Sequence, residues 1–264
     1  MPEGPEVKIA SDYLNKSFNK KERIKFNILS NYYNNKYNNI FETISKEYKS
    51  FTESFTIGKN IFIELKGKKK LHIHLGMTGK WCDTHIKHCH FEISSKQKKI
   101  FFNDVRKFGG IQILEQDNFC KKYFKEYDLL NPKYNYEKHI LQLNSINQKK
   151  SVCKILLDQT YFPGVGNYIK SETLYASGIH PEEKWGNICE NKLHQLIRNT
   201  KFIMKKSYDN GGAELKDFSN PFKKSTFKLK IYGRKKTETN QNIISVKTSD
   251  SRTTWICKQT QKKS

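Results

Sequence analysis

The sequence lacks the features that mark membrane-spanning, secreted and disulfide-stabilised proteins. No apolar run reaches the ~18 residues that a membrane-spanning helix needs, and the first residues contain no apolar stretch of the kind that secretion signals carry. The six cysteines follow no framework spacing; they are Cys82, Cys89, Cys120, Cys153, Cys189 and Cys257. We therefore expect reduced thiols and an intracellular protein that is not secreted and has no membrane partner.

Acidic residues are also in short supply. The 264 residues include 26 Asp and Glu against 49 Lys and Arg, which gives a formal net charge of +23. Such an excess repels itself unless a polyanion offsets it, and duplex DNA carries one phosphate charge per ~1.7 Å of axis. A general compositional bias towards Lys and Asn is the alternative explanation of this charge. The net charge therefore predicts a nucleic-acid partner but does not indicate which reaction, if any, the protein catalyses.

The chain opens Met1-Pro2-Glu3-Gly4-Pro5-Glu6, and its second residue is the most informative. An initiator methionine before a small residue such as proline is usually removed, which would leave Pro2 with a free secondary amine. An α-amino group titrates near pH ~8, so a useful fraction is unprotonated at neutral pH. Such an amine can form a Schiff base at a sugar or carbonyl carbon, and Glu3 could carry protons beside it. The plainer interpretation is an ordinary Pro- and Glu-rich start.

Apolar periodicity predicts an N-terminal helix, then a region of strands, and then a helical region. Residues 5–18 have helical spacing, and residues 22–115 contain short β-branched or aromatic runs that are typical of antiparallel strands. Strand-like runs return near the end of the chain, with a turn predicted near 239–242. Between these parts, helices are predicted at 151–159, 167–177 and 187–207.

This pattern predicts an α+β protein of two domains. The four expected segments are 1–127 as an N-terminal β domain, 128–150 as a linker, 151–225 as a helical domain and 226–264 as a terminal hairpin.

Six motifs occur in order along the chain. They are the N-terminal hexapeptide, His74-Leu75-Gly76-Met77-Thr78-Gly79, Asn103-Asp104-Val105-Arg106-Lys107-Phe108-Gly109, Leu156-Leu157-Asp158-Gln159, Gly164-Val165-Gly166-Asn167-Tyr168 and Gly178-Ile179-His180-Pro181. With this order and spacing the chain resembles the Fpg/Nei family of DNA glycosylases (formamidopyrimidine-DNA glycosylase and endonuclease VIII). Its Leu-Leu-Asp-Gln and Gly-Asn-Tyr variants, together with the C-terminal finger described below, look most like the Nei-like enzymes with a zincless finger. The resemblance implies a two-layer β-sandwich with an N-terminal helix, then a helix-two-turn-helix DNA-binding domain with a β-hairpin.

The resemblance implies a catalytic role for three residues of the N-terminal domain and, in the finger described below, for Arg252. Pro2 matches the nucleophile that attacks C1′ of the damaged nucleotide, and Glu3 matches the residue that protonates the sugar and assists ring opening. Lys59 matches a lysine that contacts phosphate and assists β-elimination. In a chain this basic, a solvated turn lysine is the alternative interpretation of Lys59.

Three further residues match those that fill the gap left by an extruded base. They are Met77, Arg106 and Phe108, whose thioether, guanidinium and ring can replace stacking that costs a few kcal/mol to break. Core packing is the alternative for Met77 and Phe108. Their glycine-flanked, turn-like segments favour exposed loop tips instead.

His88 and Asn167 complete the DNA contacts that the resemblance implies. His88 matches a DNA-contact histidine. Asn167 opens a predicted helix after two glycines, where free N–H groups bind phosphate. A simple N-cap is the alternative for Asn167.

The segment around His88 also looks superficially like a metal site, because Cys82, His85, Cys89 and His90 lie close to it in the sequence. In an alternating strand His88 and His90 would share one face while Cys89 faces the other way. We therefore expect no metal there.

The C-terminal finger departs from the commonest family pattern, in which four cysteines hold zinc. Here residues 232–240 contain no cysteine, and of the second pair only Cys257 remains, with Thr260 where its partner would be. One thiolate cannot hold a tetrahedral zinc, so the segment resembles a zincless finger. Arg252 matches the finger arginine that grips phosphates flanking the lesion and assists δ-elimination; a charged hairpin tip is the alternative.

The resemblance thus implies a bifunctional DNA glycosylase/AP lyase of base excision repair. It would excise oxidised pyrimidines, formamidopyrimidines and hydantoins through a Pro2 Schiff base and open the strand by β,δ-elimination. Its partner would be damaged double-stranded DNA, with no metal and no small-molecule cofactor. We expect a monomer located with DNA, in a nucleus, a nucleoid or a viral factory. Gly211 to Ser225 matches a loop that covers the flipped base in some relatives.

Three alternatives remain open. The first is a glycosylase directed at 8-oxoguanine and formamidopyrimidines, and the second is a non-catalytic DNA-binding protein on the same fold. The third is a basic RNA-binding protein, which no RNP or KH motif supports.

Overall fold

The computed structural model describes residues 1–214, 220–222 and 224–263. The chain divides into two compact units. The first unit consists of Met1–Pro2, Glu6–Phe124 and Glu214–Ser225, and the second of Glu3–Pro5, Lys125–Ala213 and Thr226–Ser264. None of the described helices is both long and apolar enough to cross a membrane.

The first unit is built on two antiparallel four-stranded sheets. One has the order β1-β6-β7-β5 and the other β2-β3-β4-β8. The elements are α1 (Gly4–Ser17), β1 (Lys25–Ile28), α2 (Asn31–Glu47), β2 (Ser54–Ile57), β3 (Asn60–Glu64), β4 (Lys70–His74), β5 (Lys80–Cys82), β6 (Cys89–Ser94), β7 (Lys99–Asn103), β8 (Gly110–Leu114) and α3 (Gln116–Lys122).

Side-chain alternation explains how the sheets form a sandwich. Ile61 and Ile63 on β3 join a fully buried core with Phe91 and Phe102 of the other sheet. Phe62 points to the opposite face and packs edge-on against Phe119 of α3, with ring centroids 5.1 Å apart. The predicted α+β sandwich with an N-terminal helix is therefore confirmed.

The prediction of strands throughout 22–115 was wrong for α2. Ser30 caps this helix, because its hydroxyl accepts the N–H of Tyr33 at 3.3 Å. The face with Tyr33, Tyr37, Phe41 and Ile44 is buried. Tyrosine favours strands and asparagine favours turns, so residue types misled the prediction although the apolar spacing was helical.

The second unit is mainly helical. Its elements are α4 (Tyr136–Asn144), α5 (Val152–Leu157), α6 (Asn167–Ser177), α7 (Glu190–Asp209), β9 (Ile244–Lys247) and β10 (Thr253–Ile256). The segment 128–150 is more than a connector, since α4 lies within it and buries His139 and Leu143. The strands β9 and β10 pair antiparallel through a turn at 248–252. The turn predicted near 239–242 is a separate one, which closes an isolated bridge between Lys236 and Asn242.

A buried histidine should make the stability of the first unit depend on pH. His72 donates from Nε2 to Asn60 Oδ1 at 2.8 Å and accepts at Nδ1 from the Gln112 amide at 2.6 Å. The neutral ring is thus satisfied on both sides, and burial lowers its pKa from 6.5 to about 3. The unfolded state gains a proton first as the pH falls. The contribution of His72 to stability is therefore complete above pH ~6.5 and is lost towards pH ~3.

We expect this loss to be about 3 kcal/mol between pH 7 and pH 4. Urea unfolding of the wild type and of His72→Gln at both pH values measures it, because every other group contributes equally to the two proteins. An unfolding free energy that falls by the same amount in both proteins would contradict the assignment.

Candidate functional site

Pro2 lies at the start of the first unit and is buried, whereas Met1 keeps 38% of its surface exposed. While Met1 is attached, the Pro2 nitrogen is an amide without nucleophilic character. Removal of Met1 would turn the same atom into a secondary amine, which is the reactive group that the sequence predicts.

Glu3 is tightly held within the second unit. Its side chain is 4% exposed, and its carboxylate accepts the N–H groups of Gly166 at 2.7 Å, Tyr168 at 2.9 Å and Ile169 at 3.3 Å. These are free N–H groups at the start of α6, where the helix favours negative charge. The hydrogen bonds therefore fix the position of the Glu3 carboxylate.

Gly166 is needed for this contact. A Cβ atom at position 166 would lie 2.3 Å from Glu3 Cδ and 2.4 Å from Glu3 Oε1. The backbone of Gly166 is extended, with φ −129°, so the requirement is for space and not for an unusual conformation. The sequence indicated that glycine allows a close approach here, but not that the approaching group is Glu3.

Asn167 is the first residue of α6, and Gly166 occupies the N-cap position. The alternative of a simple N-cap is therefore wrong for Asn167. Its Nδ2 donates to the carbonyl of Thr253 on β10 at 2.8 Å, while its Oδ1 has no hydrogen-bond partner among the described residues. Asn167 thus joins the helix start to the hairpin.

Arg252 lies in the exposed turn between β9 and β10. Its N–H donates to Asp250 Oδ1 at 2.9 Å, and its carbonyl accepts from the N–H of Thr248 at 3.0 Å. The structure gives the guanidinium no ion pair with any described residue. The backbone of Arg252 is therefore fixed while its charged group faces solvent.

Lys59 lies in the turn between β2 and β3 and is half-buried. Burial, followed by the charge of Lys59, lowers the pKa of His74 at the end of β4. The Nδ1 of His74 accepts the N–H of Gly76 at 3.1 Å. A neutral His74 thus connects the surroundings of Lys59 to the loop that carries Met77.

Asp104 joins the two loops that carry the predicted gap-filling residues, although the sequence analysis assigned it no role. It is fully buried; its carboxylate accepts the Thr78 hydroxyl, and the N–H of Gly109 at 2.6 Å. Thr78 in turn accepts the N–H of Arg106 at 3.0 Å. Gly76 has φ +63°, and a Cβ there would lie 2.4 Å from the Phe108 carbonyl carbon, so the loops touch at backbone level.

This arrangement exposes two of the three gap-filling residues, Arg106 and Phe108. Phe108 is 55% exposed, which excludes core packing, and the Arg106 guanidinium lies 4.8 Å from its ring centroid. Met77 is half-buried. Lys59, Met77, Arg106 and Phe108 therefore lie in one neighbourhood of the first unit, around His74 and Asp104.

The sequence predicted that His88 belongs to an alternating strand, and this prediction was wrong. His88 lies in the turn before β6 with φ 71°, and its carbonyl accepts the N–H of Asp104 at 3.0 Å. His90 is buried, and its ring nitrogens pair with the Ser30 hydroxyl and the Asp104 carbonyl, each at 2.9 Å. Both nitrogens of His90 are thus in use within the protein.

The two cysteines near His88 lie side by side. Cys82 and Cys89 have their sulfur atoms 3.7 Å apart, and burial raises the pKa of the Cys82 thiol to about 12, which disfavours the thiolate that a metal requires. Among residues 1–214, 220–222 and 224–263, no group of three or more His, Cys, Asp or Glu side chains could hold a metal ion.

Cys257 in the hairpin has amide and hydroxyl neighbours instead of further thiols. Its Sγ lies 3.2 Å from Gln241 Oε1 and 3.5 Å from the Thr260 hydroxyl, and its N–H donates to Gln261 Oε1 at 3.0 Å. This donor set does not fit zinc, which takes thiolate, imidazole or carboxylate ligands.

The loop from Gly211 to Ser225 is described only in part. Residues 215–219 and 223, where much of the predicted base-covering loop lies, fall outside the described residues. Within the first unit, the Phe222 ring packs against Tyr13 at 5.4 Å, and the Lys16 ammonium lies 4.2 Å from its centroid.

Comparison with known proteins gives consistent matches over both units. Residues 1–111 match the family model of the formamidopyrimidine-DNA glycosylase N-terminal domain, and residues 130–219 match that of the formamidopyrimidine-DNA glycosylase H2TH domain. The formamidopyrimidine-DNA glycosylase of Rickettsia bellii (strain OSU 85-389) is 31% identical over 77% of this chain and 79% of its own length. That of Rickettsia africae (strain ESF-5) is 32% identical over 76% and 77%.

Solved structures agree with these matches. The Lactococcus lactis Fpg in complex with DNA containing an abasic site has a TM-score of 0.82 and 25% identity, with 99% of this chain and 100% of that chain covered. The Lactococcus lactis Fpg in complex with DNA containing an oxidised pyrimidine has a TM-score of 0.81 and 24% identity, with the same coverage. These relatives carry the Fpg name, so the closer likeness to Nei-like enzymes stays a prediction.

Proposed function

Because the chain belongs to the formamidopyrimidine-DNA glycosylase family, we propose that it is a bifunctional DNA glycosylase and AP lyase acting on oxidised bases in duplex DNA. The observation that carries the proposal is the fixed carboxylate of Glu3, which three N–H groups of α6 hold in place. Glu3 directly follows the residue whose nitrogen becomes a secondary amine when Met1 is removed. A nucleophile and a proton carrier are therefore adjacent in the chain.

The proposed chemistry starts at Pro2. Its nitrogen attacks C1′, the glycosidic bond breaks, and the base leaves with the bonding pair and takes up a proton. Glu3 accepts the proton that the Pro2 nitrogen loses and passes it to the ring oxygen, so that the sugar opens to an iminium ion. The iminium ion makes the C2′ proton acidic.

Two eliminations then cut the strand. Loss of the C2′ proton expels the 3′-phosphate by breaking the C3′–O bond, and loss of the C4′ proton expels the 5′-phosphate by breaking the C5′–O bond. Water hydrolyses the remaining iminium ion and frees Pro2. Lys59 assists the first elimination and Arg252 the second, in both cases by balancing charge on a phosphate.

The remaining predicted residues bind and distort the DNA. Met77, Arg106 and Phe108 fill the gap left by the extruded base, and the buried Asp104 keeps their loops together. His88 and Asn167 contact the backbone of the damaged strand. The solved relatives are bound to DNA with an abasic site and with an oxidised pyrimidine, and we extend damaged-DNA binding to this chain.

An end-labelled duplex with a single dihydrouracil tests the proposal. We expect a one-nucleotide gap with phosphate at both ends, and a faster reaction than on a matched 8-oxoguanine duplex. Faster cutting at 8-oxoguanine would favour the purine-directed alternative. Duplex binding without any cutting would favour the non-catalytic protein, and stronger binding to RNA would refute both.

A further inference from the structure

A buried ion pair holds the turn that carries Arg252. Lys170 on α6 is fully buried, and its ammonium lies 2.5 Å from Oδ2 of Asp250, whose side chain is 4% exposed. The other oxygen of Asp250 accepts the Thr248 hydroxyl at 2.7 Å and the N–H of Arg252 at 2.9 Å. One carboxylate therefore links α6 to the main chain of Arg252.

Ser249 anchors the same turn to the helical part of the second unit. Its N–H donates to Glu182 Oε1 at 2.6 Å, and its hydroxyl lies 2.8 Å from that of Ser151. Thr248 is joined to Thr254 across the hairpin by a hydroxyl pair at 2.7 Å. The turn is thus held from several directions by protein groups alone.

A buried ion pair is not the most stabilising way to hold a turn. Removing two charges from water often costs more free energy than packing apolar residues of the same volume, and the best-attested benefit of such a pair is that it specifies one conformation. Burial lowers the pKa of Lys170, whereas Asp250 favours its charged form. The energetic cost therefore indicates that the position of this turn matters for more than stability.

We propose that Lys170 and Asp250 are positioning residues for Arg252. They lock the 248–252 turn onto α6, the helix that also holds the Glu3 carboxylate and presents Asn167. The inference rests on the proposed function in one respect, namely that Arg252 binds phosphate and assists the second elimination.

Variants of the pair and of Arg252 test this inference. Asp250→Asn keeps the shape of the side chain and removes its charge. The double variant Lys170→Met/Asp250→Asn leaves no unpaired buried charge, so this double variant provides the test if Asp250→Asn alone does not fold. Glu238→Gln is the matched control, because Glu238 forms an exposed ion pair with Lys230 at 3.5 Å in the same finger.

We expect Asp250→Asn to lower the ratio of δ- to β-elimination product about tenfold, which corresponds to one lost hydrogen bond to a charged group. Borohydride trapping of the covalent intermediate should remain within about twofold of the wild type. Arg252→Ala should lower the product ratio to the same extent as Asp250→Asn. The double variant Asp250→Asn/Arg252→Ala should have a ratio no lower than that of Arg252→Ala alone. A generally loosened fold would instead give multiplied effects and lower trapping.

The inference fails if the folded Asp250→Asn or the double neutral variant keeps the wild-type product ratio, or if its effect multiplies with that of Arg252→Ala. If the wild type gives no trapped adduct at all, the proposed function fails first. Dissociation constants for a duplex with a tetrahydrofuran abasic analogue then decide the inference. The inference is supported if Asp250→Asn and Arg252→Ala weaken duplex binding equally and the double variant binds no more weakly than either. It is refuted if the two losses of affinity multiply in the double variant.

Discussion

Protein that keeps a residue in front of Pro2 is expected to release no base and to form no adduct with borohydride on dihydrouracil or abasic duplexes. A peptide bond to Pro2 removes the lone pair that attacks C1′, and no other group in the proposed mechanism replaces it. We expect incision to fall by about a thousandfold or more, as when a nucleophile is removed from an enzyme.

A single preparation can supply both states. A cleavable N-terminal extension blocks Pro2, and protease treatment that leaves Pro2 first should restore activity in the same sample. Pro2→Gly should likewise lose the adduct. Cutting and trapping that persist in the extended chain and in Pro2→Gly would remove Pro2 from the reaction.

Gly166→Ala is expected to impair the chemistry nearly as much as loss of the Glu3 carboxylate itself. The new methyl carbon would lie 2.3 Å from Glu3 Cδ, so the carboxylate must leave its three N–H partners. Removing a positioned proton carrier typically costs about 10²-fold or more. We expect Gly166→Ala and Glu3→Gln each to lower base release by roughly 10²-fold.

Single-turnover base release measures this effect, with Asn144→Ala on an exposed end of α4 as the control for handling and folding. Gly166→Ala/Glu3→Gln should be about as active as Glu3→Gln alone, because both changes act on the same carboxylate. Wild-type rates in folded Gly166→Ala would show that the position of Glu3 in α6 is irrelevant to the reaction.

Local signals in the sequence predicted the sandwich strands and most helices well. Ile61, Phe62 and Ile63 belong to a β-branched and aromatic run that predicted a strand, and the structure buries them on opposite faces of β3. The error at α2 arose where residue type and spacing disagreed. There Tyr33, Tyr37 and the core decided the outcome through packing.

The surroundings of the candidate site were less predictable. The turn chemistry of Gly76 and Phe108 indicated an exposed loop tip, and Phe108 is indeed exposed. Nothing in the sequence linked Asp104 to Thr78, or Lys170 to Asp250, because these partners are 26 and 80 residues apart. Contacts at such separation form only when the fold brings the segments together.

The first turn of α6 has consequences for how the protein can change over time. Gly166, Tyr168 and Ile169 hold Glu3, while Asn167 bonds to Thr253 and Lys170 pairs with Asp250. One inserted or deleted residue rotates the rest of a helix by about 100° and shifts it by ~1.5 Å. Substitutions here can be compensated one at a time, but a change in length would break several partnerships at once, so insertions and deletions should be purged from this turn first.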